Sequence, residues 1–109
     1  MAPTSNLGEF EQVVLLAVLQ LGDEASTSPL LEAIAHHTGR SVARGALYTT
    51  LDRLEQKGLL RSRMAGGSRA RSGRPRRYYQ VTAVGIRALK ESRQALLSLW
   101  RGLEGLLGS

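Results

Sequence analysis

Arg44-Gly45-Ala46-Leu47-Tyr48-Thr49-Thr50-Leu51-Asp52-Arg53-Leu54-Glu55-Gln56-Lys57-Gly58-Leu59-Leu60 is the stretch on which the fold turns. Leu47, Leu51 and Leu54 recur at i, i+4 and i+7, the spacing of one buried helical face. Arg44, Tyr48, Thr49, Asp52 and Arg53 fall on the opposite side. Ser41 is placed to cap this helix, which is expected to run to about Lys57, and Gly58 to end it. One side is thus built for a core. The other is built for something polar.

Working backward, Leu7, Phe10, Val14, Ala17, Val18 and Leu21 keep helical spacing and Gly22 closes the run. Val13, Leu16 and Leu19 are apolar too, so this helix expects burial on more than one side. Ser28-Pro29 reads as cap and first residue of a second helix, with Leu30, Leu31 and Ile34 inward and Gly39 as its stop. Only a few residues separate it from the helix of the opening stretch, the spacing of a helix-turn-helix. Working forward, Leu59 to Met64 alternates like a half-buried strand, and Arg76 to Thr82 is a second strand. Between them Ala65 to Pro75, rich in Gly, Ser and Arg, makes the loop of a β-hairpin wing. Of Tyr78 and Tyr79, which point to opposite faces, one belongs to the core, and the alternation does not say which.

Thr82 caps a last helix expected to reach about Leu107. Ile86, Leu89, Leu96, Trp100, Leu103 and Leu107 follow alternating steps of three and four, with Arg93 in the one polar slot. A seam of that length exceeds what a small domain needs for closure, and it points to a second copy of the chain. The expected class is therefore mostly α with a small β-hairpin: a winged helix-turn-helix plus a C-terminal dimerisation helix. Residues 1–6 are expected to fray, 7–82 to form the winged-helix domain and 83–107 the dimerisation helix. Phe10, Val14, Leu89, Leu96, Trp100, Leu103 and Leu107 are the expected dimer contacts.

The charge sharpens this. The 109 residues carry a net +6, but the eleven cations between Arg40 and Arg77 face only Asp52 and Glu55, leaving +9 there and −3 elsewhere. A concentrated cationic surface suits a polyanion. A major groove about 12 Å wide admits one α-helix, read by the residues of its N-terminal part. Arg40, Ser41, Arg44, Tyr48, Thr49 and Arg53 are the expected DNA-contacting residues on and before the reading helix. Arg44 can pair in bidentate fashion with guanine. Tyr48 can donate to a phosphate oxygen or lie on a thymine methyl; a half-buried helix residue is the plainer reading. Arg69, Arg71, Arg74, Arg76 and Arg77, within nine positions and with no acid among them, suit phosphates or a narrow minor groove.

Other classes recede. With no cysteine there is no thiol nucleophile and no thiolate metal site. His36 and His37 diverge by about 100° on a helix, so no shared metal is expected. No nucleophile-base-acid set can be assembled, and neither enzymatic activity nor a cofactor is expected. Val13 to Leu19, the longest apolar run, is too short to span a bilayer and is preceded by Glu9 and Glu11, so no membrane partner is expected and a cytoplasmic location follows. A protein-docking winged helix and a non-specific nucleic-acid binder stay open as alternatives to a sequence-specific regulator.

Three stretches carry a resemblance to a known family. Leu7-Gly8-Glu9-Phe10-Glu11 before an apolar helix, Gly45 to Leu60, and Gly73-Arg74-Pro75-Arg76-Arg77-Tyr78-Tyr79-Gln80-Val81-Thr82 with Gly85 after it resemble PadR-type regulators, of the small subfamily with one C-terminal helix. The resemblance covers roughly Leu7 to Leu107. It implies a homodimeric repressor, of a group in which some members respond to small aromatic effectors. It implies DNA contact for Tyr48, Arg74, Arg76 and Arg77. For Trp100 it offers an aromatic wall for a flat effector beside the alternative of an interface anchor. Ser26-Thr27-Ser28 departs from the aromatic-glycine pair of many members, which leaves the role of that segment open.

Overall fold

The computed structural model describes residues 7–66, 75–106 and 108. Along the chain these form α1 (Glu9–Leu21), a 3₁₀ turn (Gly22–Glu24), α2 (Thr27–Thr38), α3 (Arg44–Gln56), β1 (Leu60–Ala65), β2 (Arg76–Val81) and α4 (Ala83–Trp100). The expected class is the one observed, mostly helical with one two-stranded antiparallel sheet. Residues 1–6, Leu107 and the wing positions Arg69, Arg71 and Arg74 lie outside the described residues.

The helices start where the backbone finds partners, and not always at the residue whose side chain suggests a cap. α1 begins after Gly8, whose N–H donates to the Glu11 carboxylate at 2.9 Å. α2 begins at Thr27 behind Ser26, so Pro29 falls in the first turn, where its missing N–H costs nothing. α3 starts at Arg44 behind Ala43, with no side-chain cap; Ser41 stays in the connection and does not cap it. Gly39 and Gly58, at φ 74° and 78°, supply the left-handed turns that end α2 and α3.

The core joins all these elements. Leu47, Leu51 and Leu54 are fully buried, facing Val14, Leu15, Leu30 and Ile34. β1 and β2 pair from Leu60↔Val81 to Ala65↔Arg76. β2 gains a further bond on its other side, from the Tyr79 N–H to the Ala25 carbonyl at 2.9 Å. This decides the tyrosine pair: Tyr79 is 4% exposed and belongs to the core. Tyr78 turns outward, with the Arg63 guanidinium 4.9 Å from its ring centre.

α4 is anchored at its first turn. Thr82 accepts from the Gly85 N–H at 3.1 Å, as expected of a cap, while its hydroxyl donates to the Gly58 carbonyl at 2.7 Å. Gly85 sits against the Leu59 carbonyl; a Cβ there would meet that oxygen and lie 2.7 Å from a Val81 methyl. The far end differs from expectation. α4 stops at Trp100, because Arg101 adopts ψ 127° and Gly102 φ 84°. The helical seam is thus Ile86, Leu89, Arg93, Leu96 and Trp100, and Leu103 lies in the turns that follow.

Candidate nucleic-acid interface

The outward side of α3 meets the start of α2 and the base of the wing. The Arg44 guanidinium donates to the Ser28 hydroxyl at 3.3 Å. Tyr48 is 45% exposed. The Thr27 hydroxyl, and after it the Arg44 guanidinium, hold the Tyr48 phenol below its ordinary pKa against slight desolvation. Thr27, Ser28, Tyr48, Asp52, Arg76 and Arg77 all line one hollow between α2, α3 and β2. Hydroxyls, one phenol and guanidinium groups converging on a concave surface are donors suited to phosphate and base edges.

Thr27 and Ser28 are the residues that sequence reasoning missed. The polar run Ser26-Thr27-Ser28 reads as a connector with a cap, and only the packing of α2 on α3 carries it to Arg44 and Tyr48. On the inner side of the hairpin, Tyr79 lies beneath Arg77. Burial pushes the Tyr79 phenol up, only partly offset by the neighbouring Arg77 guanidinium.

Other expected contacts fall elsewhere. Arg40 is tied to Glu9, with Nη2 at 2.8 and 2.7 Å from the two carboxylate oxygens, so this cation holds the start of α1. Both groups are exposed, and such a pair is worth at most about 1 kcal/mol. Thr49 is exposed, but its hydroxyl donates to the Gly45 carbonyl at 3.1 Å within its own helix. Ser41 and Arg53 are exposed at opposite ends of the α3 region. Lys57, just past α3, donates to Glu11 at 2.9 Å. That carboxylate is largely buried, yet its pKa is lowered: desolvation, the largest influence, is outweighed by Lys57, the Gly8 N–H and the more distant Arg53 together. Outside its own helical turn, a Cβ at Gly45 would meet no atom of the described residues within 4 Å, so the packing described does not demand glycine there.

A second surface lies between α1 and α4. Gln12, Leu16, Leu19, Ile86, Leu96 and Trp100 line an apolar groove of about 410 Å³. Leu16, Leu96 and Trp100 are about half exposed and Leu99 is 73% exposed. Val14, expected on a contact between two chains, has no exposed surface and belongs to the chain's own core. Leu89 is 9% exposed and Phe10 is half-buried against the same core, so the open apolar face is carried by Leu16, Leu19 and the C-terminal half of α4. Among the described residues no group of three His, Asp or Glu side chains is placed to hold a metal, and no helix is long and apolar enough to cross a membrane.

A helix-turn-helix with its leucines inward and its donors outward, backed by a basic hairpin, defines the winged-helix class of protein. Comparison with known proteins agrees. Residues 15–91 match the transcriptional regulator PadR-like family. A transcriptional regulator of Mycobacterium tuberculosis is 43% identical over 76 residues, 70% of this chain and 66% of that protein's length, just short of two thirds of it. A PadR family regulator from Eggerthella lenta is 33% identical and superposes with a TM-score of 0.68 over 93% of this chain and 88% of its own. A PadR-like regulator from Bacillus cereus, 24% identical, superposes at 0.71 over 92% of each chain and shows the same fold. This chain belongs to the PadR-like family of transcriptional regulators.

Proposed function

We propose that the chain is a cytoplasmic repressor that binds a pseudo-palindromic operator as a homodimer. The observation that carries this is the outward row of α3, in which Arg44 and Tyr48 stand exposed beside Thr27 and Ser28 while the leucines of the same helix are fully buried. In this reading α3 enters the major groove with Arg44 toward base edges. Arg76 and Arg77 hold the flanking phosphates, joined by Arg69, Arg71 and Arg74 of the wing. Gly45, which the packing described does not demand, leaves room for a duplex to come close.

The dimer forms through the α1–α4 face, with Leu96 and Trp100 at its centre and residues 83–107 as the dimerisation segment. A face this apolar is covered in a working protein. A small aromatic effector enters the groove beside Trp100 and relieves repression, to the extent that it binds the DNA-free arrangement more tightly. The test pairs two measurements. Sedimentation establishes the oligomeric state at micromolar concentration. Fluorescence anisotropy compares a duplex selected by the protein from a random pool with an unselected duplex. A dimer with a strong preference for the selected duplex supports the proposal. Equal affinity for both reduces the protein to a non-specific binder, and a monomer removes the two-fold operator.

A further inference from the structure

α3 carries one more outward side chain that contact with a polyanion does not explain. Asp52 is exposed and continues the row of Arg44 and Tyr48 at intervals of four residues. The row covers about 12 Å of helix axis, the rise of three to four base pairs. Asp52 lines the same hollow as Tyr48, Arg76 and Arg77. Only two acids lie in the cationic stretch from Arg40 to Arg77, and they are used differently. Glu55 is half-buried and accepts from the Ser62 hydroxyl at 2.7 Å, tying α3 to β1. Asp52 stands among the cations of the reading face.

A carboxylate there repels the phosphates of any duplex, and so lowers affinity without regard to sequence. In the major groove it has one good partner. The N4 amino group of cytosine is a donor, and Asp or Glu accepts from it. We propose that Asp52 is a specificity-determining residue: it weakens binding to all DNA and recovers the loss only where a cytosine lies opposite. The proposal rests on the reading of α3 as the groove helix, and it names the base class that helix selects beyond the reach of Arg44.

The experiment selects duplexes from a random-sequence library with the full-length wild-type chain, Asp52→Ala and Asp52→Asn, and measures the affinity of each for an unselected duplex at fixed salt. The wild-type pool is expected to hold cytosine at one position per half-site. Asp52→Ala should lose that preference by about tenfold, the lower range of one base-pair contact. Asp52→Asn should move it toward adenine, which an amide pairs through N6 and N7. Both variants should bind the unselected duplex more tightly than wild type. Three identical pools, or a gain by one common factor on selected and unselected DNA, overturn the proposal and make Asp52 a bulk charge. A wild-type chain that selects no sequence removes the groove reading of α3 itself, and this proposal with it. Melting temperatures matching wild type establish that the exposed substitutions leave the fold intact.

Discussion

α3 and α4 are both amphipathic, both half-exposed, and opposite in what they expose. α3 buries Leu47, Leu51 and Leu54 and presents Arg44, Tyr48, Asp52 and Arg53. α4 buries Ala88 and Leu89 near its start and presents Leu96, Leu97, Leu99 and Trp100 toward its end. A face of guanidinium and hydroxyl groups loses little by staying in water. A face of leucines is driven to cover itself by the same effect that builds the core. The difference separates two surfaces of opposite chemistry on one short chain.

The largest effect should come from the side of α3 that faces inward. Leu51→Ala should cost about 2–5 kcal/mol of stability in a urea titration, because a fully buried side chain leaves a cavity. DNA binding should fall only as far as the folded fraction does. A variant that keeps full stability would show that the leucine row is not the core face. Next comes the exposed end of α4. Trp100→Ala should weaken self-association by about 2 kcal/mol or more, read by sedimentation equilibrium, if this sole tryptophan anchors the contact. Unchanged association would move the interface elsewhere and leave α3 and α4 with no contrast in function.

Arg44→Ala should reduce binding to a selected duplex by about 1–3 kcal/mol and leave unselected DNA less affected. Equal losses on both would make Arg44 a phosphate contact. The smallest expected change tests the clamp behind α3. Glu11→Gln should cost about 1 kcal/mol near neutral pH. Because the Glu11 pKa is lowered in the folded chain, its contribution is complete above the ordinary value of 4.5 and fades as pH falls through the lower folded value. Urea midpoints of wild type and variant should therefore differ at pH 7 and converge in acid. A gap that persists in acid would assign the loss to packing.

Much of this division was legible in the sequence because it rests on spacing. The leucine row of α3, the alternation of the hairpin and the glycine stops at Gly22, Gly39 and Gly58 are local signals, and each appears where it was expected. What spacing does not carry is the angle between elements. Ser26-Thr27-Ser28 gives no hint that α2 delivers two hydroxyls to α3. Arg40 looks like any other cation until α1 brings Glu9 within 2.7 Å of it. Val14 shares the helical period of Phe10 and is expected at a contact between chains, yet the packing of α1 buries it completely. The heptad steps continue past Trp100, but the helix does not, because backbone geometry at Arg101 and Gly102 breaks a run that side-chain pattern alone would extend.

The close seating of Gly85 on the Leu59 carbonyl carries a consequence for scale. α4 runs on from that joint to Trp100, about 22 Å at 1.5 Å per residue, and is buried at Ala88, Leu89 and Ser92 on the way. A change of 10° in direction at the joint would move the far end by about 4 Å. The hydrogen bonds of Thr82 to Gly58 and Gly85, and the close approach of Gly85 to Leu59, thus set the direction in which α4 carries its apolar end away from the hairpin.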